Sequence, residues 1–258
     1  MIKKKTFGSS LWIDLESPTE DEVNEAAKIA EINPTSIEEL LTPSTRHKIE
    51  FGESHASLIL HFPAFKESHD GDAAFEVDFI ITKNTIITAH YCPIEALDKL
   101  VPIDESEKDL FFEIVGELLW NFERKLSSID HWVRDIEKKM FSGKEKAAVF
   151  ELSEASRHLT DFKKITAVYP DAFQTLEVGG QKIFGKKFAQ SSHIISERVA
   201  KASAKLAVLS EWASELRETN SALLNIKQND TMRILTTLTF ISDVFFGMAL
   251  IYLALHGR

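Results

Sequence analysis

The stretch TFISDVFFGMALIYLALHGR, the last twenty residues of the sequence, sets one carboxylate, Asp243, inside an otherwise apolar run. Thr236, Thr239, Ser242 and Asp243, with Gly247 one turn on, share one face of a helix, since positions three and four apart stack on one side. Leu238, Ile241 and Phe245 take the opposite face, with Thr237 beside them. From Ile234 to Leu255 the run has 22 residues, enough to cross a hydrocarbon layer about 30 Å thick. Lys227 and Arg233 stand ahead of it, as basic residues do where a span leaves the cytosol. A charge at mid-span costs about 2.5–3.5 kcal/mol on insertion scales, so Asp243 is expected to face a water-filled or protein-lined interior. The competing reading is a buried amphipathic helix of a soluble protein, with Asp243 at a subunit interface. The run is longer than a usual core helix, which favours the span.

Other groupings with chemical potential are weaker. GGQKIFGKK, with Gly180, Gly185 and Lys186, is one residue from a phosphate-binding loop, but Lys187 stands where a hydroxyl would hold Mg²⁺. It follows a helical region and not a strand, so a basic, glycine-rich linker is expected there. ESHDGDAAFE gathers His69, Asp70 and Asp72 without the glycine placement of a calcium loop, and reads as a solvated turn. His47, His55, His61 and His90 show no ligand-like pairing on one helix and are expected at the surface or in the core. No nucleophile, base and acid fall into an arguable triad, so no enzyme is expected.

The elements that position these residues differ along the chain. A net charge of −10 disfavours nucleic acid as a partner. The single cysteine, Cys92, excludes an intrachain disulfide framework and fits a reducing compartment. MIKKKTFGSSLWIDLESP lacks the apolar stretch of a signal peptide, so the first domain is expected to stay in the cytosol. LWIDLESPTEDE reads as a strand and then a helix start, capped by Ser17 or Thr19, with Glu20, Asp21 and Glu22 suited to the positive end of the dipole. A short helix lies between Pro34 and Pro43. SHASLILHFPAF and FEVDFIITKNTIITAHY are strand-like, the latter turning at Lys83-Asn84. Residues 1–103 therefore form a mixed α/β domain.

Beyond residue 103 the pattern is almost wholly helical. Val115, Leu118, Phe122, Ile129, Val133, Ile136 and Met140 recur at helical spacing up to the breaker Ser142-Gly143. A second helix is expected from Lys144 to about Tyr169, interrupted or ended by Pro170. After the linker, Ile195, Val199, Ala202, Leu206, Leu209, Ala213, Leu216, Asn220 and Leu223 follow steps of four and three, a seam of about four heptads. No proline or glycine interrupts the chain between Gly185 and Gly247, so one helix can run from about Ser192 to the end, on the order of 90 Å. The expected organisation is an α/β domain (1–103), antiparallel helices packed on the stalk (104–189), a stalk helix (190–232) and a transmembrane helix (233–258).

WIDLESPTEDE, NPTSIEELLTPSTRHKIE, LILHFPAF, EVDFIITKNTIITAHYCPIEALDKL and NDTMRILT, in this order and spacing, resemble the CorA family of magnesium and divalent-cation transporters over nearly the entire chain. The resemblance implies an α/β/α cytosolic domain, antiparallel helices, and a long stalk running into the cell membrane. It also implies a homopentamer, with a pore lined by five such helices. On that pattern Asn229 falls at the cytosolic mouth, Met232 and Leu235 on or near the constriction, and Asp243 where the family has an apolar pore residue. The family's Gly-Met-Asn signature should fall at Leu253-Ala254-Leu255, where it does not stand, and its second span beyond Arg258. Cytosolic metal sensing in the family uses carboxylates; the matching positions are Lys66 and Ile194, which leaves Glu67, Asp70 and Glu197 as substitutes.

The expected activity is movement of a divalent cation, Mg²⁺ first, through a pore lined by Asn229, Met232, Leu235, Thr236, Thr239 and Asp243. Metal contacts are expected at Asp243, Glu67, Asp70 and Glu197, with no organic cofactor. A ring of Asp243 carboxylates from several copies attracts cations, and so many close carboxylates hold some protons near neutral pH. The alternative is a non-conducting regulatory or metal-sensing relative of the same fold. For the missing signature the explanations, in order, are a fragment lacking its second span, a diverged member with altered transport, and a non-transporting relative.

Overall fold

The computed structural model describes residues 1–8, 10–64, 73–100 and 110–257; Glu67 and Asp70, with Lys66, His69 and Asp72, lie outside the described residues. The chain divides into two compact units, Met1–His131 with Ser156–Ser210, and Trp132–Ala155 with Glu211–Arg258.

Six strands build the first unit: β1 (Ile2–Phe7), β2 (Ser10–Glu16), β3 (Lys48–Phe51), β4 (Ala56–Pro63), β5 (Ala74–Ile81) and β6 (Thr85–His90). The sheet order is β1-β2-β6-β5-β4-β3, parallel between β2 and β6 and antiparallel elsewhere. The expected turn at Lys83-Asn84 joins β5 to β6, with Thr82 Oγ1 accepting from the Thr85 amide at 2.9 Å. The helices are α1 (Glu20–Ile29), α2 (Glu95–Asp98), α3 (Leu110–Phe141), α4 (Glu145–Thr166), α5 (Tyr169–Phe184) and α6 (Lys186–His256), with a 3₁₀ turn at Pro34–Leu41.

Side chains alternate across a strand, so neighbours serve opposite faces. Ile13, Leu15, Ile80 and Ile87 are covered by Val23 and Ala27 of α1 and by Ile37 and Leu40 of the 3₁₀ turn. Trp12, Leu58, Phe79 and Ile86 look the other way, onto Phe111, Phe173, Phe188 and Ile195 of α3, α5 and α6. Helices thus cover both faces of a mixed sheet, the expected α/β/α arrangement. Of the two cap candidates, Thr19 starts α1: its hydroxyl accepts from the Glu22 amide and the Glu22 carboxylate accepts from the Thr19 amide. Ser17 instead takes φ 46° and gives its amide to the His90 carbonyl.

The segment around residues 170–188 departs from its sequence reading. The interruption expected at Pro170 falls just ahead of it: α4 stops at Thr166, and Pro170 lies in the first turn of α5, where proline's missing amide is tolerated. The supposed linker is helical through Phe184. Gly179 and Gly180 lie inside α5 because the chain passes too close for a side chain: an added Cβ would sit 2.2 Å from Phe51 Cε2 and 2.3 Å from Phe188 Cε1 respectively. Only Gly185, at φ 87°, separates α5 from α6. No phosphate cradle forms from residues spent in this way.

The seam on α6 is buried as its spacing requires: from Ile195 to Asn220 every member is at most 8% exposed. In the first unit Arg198 fastens α6 to α3, its guanidinium donating to both oxygens of Glu123 at 2.7 and 2.8 Å and to the Gly116 carbonyl at 2.9 Å. In the second unit Asn220 Nδ2 donates to the Glu145 carbonyl at 3.1 Å, and Arg134 lies 5.3 Å from the Trp212 ring centre. The seam is therefore occupied within the chain itself.

Replacing Gly180 by alanine measures the close approach. Alanine improves helix propensity by about 1 kcal/mol, but overpacking costs about 1–3 kcal/mol. Phe188 is wedged against Phe112 and Phe184, with centroids 4.8 and 4.7 Å away, and cannot yield. Gly180→Ala should lower stability by about 2 kcal/mol, read as a lower melting temperature of the purified protein, whereas a linker glycine would show no loss.

Candidate functional site

From Asn225 onward the side chains of α6 described in the structure are exposed, Gly247 alone being intermediate. The helix contains an 18-residue window of mean hydropathy 1.9 with none of it buried. Ile234, Leu238, Phe240, Phe245, Phe246, Leu250 and Tyr252 are each 58–71% exposed. Leaving that much apolar surface in water is unfavourable by about 25 cal/mol per Å², so another phase or other chains must cover it. The competing reading, a core helix buried in a soluble fold, is not met within the chain: among the described residues nothing buries this length of α6.

Asn229, Met232, Thr236, Thr239 and Asp243 follow steps of three and four on this helix, within roughly 80° of arc at 3.6 residues per turn. Leu235 and Ser242 sit at the edge of that stripe. The threonine hydroxyls bond back along the helix: Thr236 donates to the Met232 carbonyl at 2.9 Å and Thr239 to the Leu235 carbonyl at 3.0 Å. A hydroxyl whose proton is held this way costs little in an apolar phase and keeps its lone pairs turned outward. The stripe thus offers oxygen acceptors, one of them a carboxylate, along one side of an apolar helix.

The remaining proposed ligand, Glu197, belongs to the first unit. It is exposed, lies 3.8 Å from His193 Nε2, and His193 Nδ1 in turn lies 3.4 Å from Glu177. No group of three or more His, Cys, Asp or Glu side chains able to hold a metal comes together among the described residues. Asp243 belongs to the second unit.

Two buried polar clusters escaped the sequence reading. Thr88 donates to Asp14 at 2.6 Å and accepts from Trp12 Nε1 at 2.9 Å, with His90 Nε2 3.3 Å from the same carboxylate. Burial opposes the charge on His90, yet Asp14 outweighs it and the imidazole is raised above its ordinary value. On β5, burial first and Glu76 second push the Asp78 carboxyl up to about 8, while Tyr91 donates to it at 2.9 Å. Glu76 is held by the Ser44 amide at 2.9 and 2.8 Å and by His61 Nε2 at 3.2 Å. A cavity of about 580 Å³ opens beside His61, Glu76, Tyr91 and Cys92. The carboxylate at its wall is already committed to backbone and imidazole, so these groups order the end of the sheet. Only a polar residue on a strand covered on both faces signalled them.

Comparison with known proteins follows the same pattern. A family model described as CorA-like Mg2+ transporter protein matches residues 8–245. The chain is similar to the cobalt/magnesium transport protein CorA of Methanocaldococcus jannaschii, at 22% identity over 264 residues covering 96% of this chain and 82% of that protein. It is similar to the magnesium transporter ALR1 of Saccharomyces cerevisiae, at 25% identity over 143 residues, 52% of this chain and 17% of the yeast protein. The complete structure of the CorA magnesium transporter from Methanocaldococcus jannaschii superimposes at TM-score 0.75, with 20% identity, over 90% of this chain and 76% of that one. Full-length CmaX does so at 0.75, with 16% identity, over 89% and 73%. At these identities the structural likeness is one of fold.

Two outcomes check the geometry. Asp78 binds its proton more tightly folded than unfolded, so its contribution is full below the ordinary value near 3.8 and is lost as pH rises through about 8. Asp78→Asn should flatten the fall of melting temperature between pH 5 and pH 8.5. For the stripe, single cysteines in a Cys92→Ser background of the membrane-embedded protein separate its two sides. Cysteine at Thr236, Thr239 or Asp243 should react with a charged aqueous thiol reagent about tenfold faster than cysteine at Leu238, Ile241 or Phe245, because the reactive thiolate forms only in water.

Proposed function

Because the chain belongs to the CorA-like Mg2+ transporter family, we propose that it moves divalent cations, Mg²⁺ foremost, down their gradient across the cell membrane. Several copies, five by the family resemblance, gather their α6 helices with the polar stripe turned inward and the first unit in the cytoplasm. The observation that carries this reading is the stripe itself: oxygen acceptors at Asn229, Thr236, Thr239 and Asp243 on a helix whose other sides are apolar and uncovered. A single helix encloses nothing, and a mid-span carboxylate is tolerated where it faces a shared interior.

Mg²⁺ gives up its water shell reluctantly and prefers hard oxygen. The waters around a cation point their hydrogens outward, so they meet acceptors best. Threonine oxygens whose own protons are bound to the backbone supply such acceptors, and the Asp243 carboxylates raise the local cation concentration. Met232 and Leu235 provide an apolar narrowing beside them. Moving an ion down a gradient makes and breaks no covalent bond, so the activity is not enzymatic. The ion is cargo, with a regulatory role as the second use open to it.

Reconstitution into liposomes loaded with a Mg²⁺-sensitive dye tests the proposal. Intact oligomers should pass external Mg²⁺, and Asp243→Ala should slow entry about tenfold by removing the focusing charge. Assembled protein that passes no Mg²⁺ or similar ion would overturn transport in favour of the non-conducting, regulatory relative.

A further inference from the structure

The turn between α3 and α4, in KKMFSGKEK (residues 138–146), is shaped and charged in a way the ion path does not use. Gly143 takes φ 88°, and the Lys144 amide donates to the Lys139 carbonyl at 3.0 Å, which closes α3 abruptly. Beside this turn Phe141 is 66% exposed, although a tip of this kind is ordinarily polar. Lys144 and Lys146 are exposed and have no ion-pair partner among the described residues, and neither has Arg233. Glu145 is matched by Lys227 at 2.6 Å, and Asp230 lines the same cavity as Arg233 on α6. Lys138 and Lys139 are bound to Asp135 and Glu151 at 2.9 and 2.7 Å, surface pairs of the weak kind.

The tip is also held at a defined height on α6. Asn220 Nδ2 and Lys227 Nζ both engage Glu145, at its carbonyl and its carboxylate. A cavity of about 780 Å³ lies between Lys144, Lys146, Lys227, Thr231 and Met232. Along the helix, Lys227 stands roughly 10 Å before Ile234, and Thr231 and Met232 stand roughly 5 and 3 Å before it. The polar layer of a leaflet is about 5–8 Å deep, so the cavity wall at Thr231 and Met232 stands at the level of the headgroups, and Lys144 and Lys146 line the same cavity.

We propose that the α3–α4 tip docks on anionic lipid headgroups of the leaflet where α6 begins its span, Lys144, Lys146 and Arg233 meeting phosphates while Phe141 enters the interface. This rests on the membrane reading of residues 234–255. A basic residue near an anionic leaflet favours association roughly fivefold, and an aromatic ring sits well at the boundary of polar and apolar layers. Anionic lipid would thereby clamp the base of the span to the helical hairpin that carries it.

The test uses the full chain with Cys92→Ser and an environment-sensitive fluorophore on Ser142→Cys, in nanodiscs of phosphatidylcholine alone or of equal parts phosphatidylcholine and phosphatidylglycerol. With phosphatidylglycerol the emission should shift to the blue, and quenching by headgroup-spin-labelled lipid should rise at least fivefold. Lys144→Glu with Lys146→Glu should abolish both changes, and these exposed lysines leave the fold intact. The same fluorophore on Leu250→Cys should be quenched by acyl-brominated lipid in either disc. If Leu250→Cys is not quenched, the membrane reading fails and this proposal with it. If Leu250→Cys is quenched while Ser142→Cys responds to neither lipid, or responds equally to both, the docking proposal alone is overturned.

Discussion

Apolar surface that its own chain cannot cover is the constraint on which the rest of this structure depends. Up to Asn220, α6 buries one seam inside the chain, Arg198 and Asn220 tie that length of helix to α3 and α4, and Lys227 adds one further tie to α4. Past Leu224 no described side chain is buried, yet the residues become more apolar, not less. A helix with such a change of partner is built to leave one environment for another. The sheet and its two helical layers give the chain a self-sufficient core, so the uncovered end is not a failure of folding.

What the sequence disclosed was whatever is local or periodic. The steps of four and three from Ile195 to Asn220, the Thr19–Glu22 cap and the Lys83-Asn84 turn each depend on neighbours within a turn or two, and each stands in the structure. The meaning of Gly179 and Gly180 depends on Phe51 and Phe188, whose approach no local pattern announces, and there the linker reading fails. The same limit hid Asp14 and Asp78. On a strand covered on both faces, alternation cannot separate an inward polar residue from an outward one.

The candidate site was legible to the extent that it is a helix face. Thr236, Thr239 and Asp243 needed only the helical period to be placed together, and the back-bonds of the threonines are the part that sequence could not supply. Glu197 illustrates the opposite case. Its neighbours, the exposed His193 and, beyond it, the half-buried Glu177, come from α6 and α5 and gather no third ligand, so a carboxylate suited to metal by type is not thereby part of a metal site among the described residues.

The back-bonded threonines carry a consequence for which ions the stripe welcomes. A hydroxyl free to rotate can donate to an anion as readily as it accepts from a hydrated cation. Once its proton is fixed on a carbonyl, it can only accept. Water around an anion turns its oxygen outward, and finds no donor along Thr236 and Thr239. In a pore of the proposed kind the sign of the permeant charge is then discriminated by the orientation of its hydration shell, a selection that does not depend on the charge of Asp243.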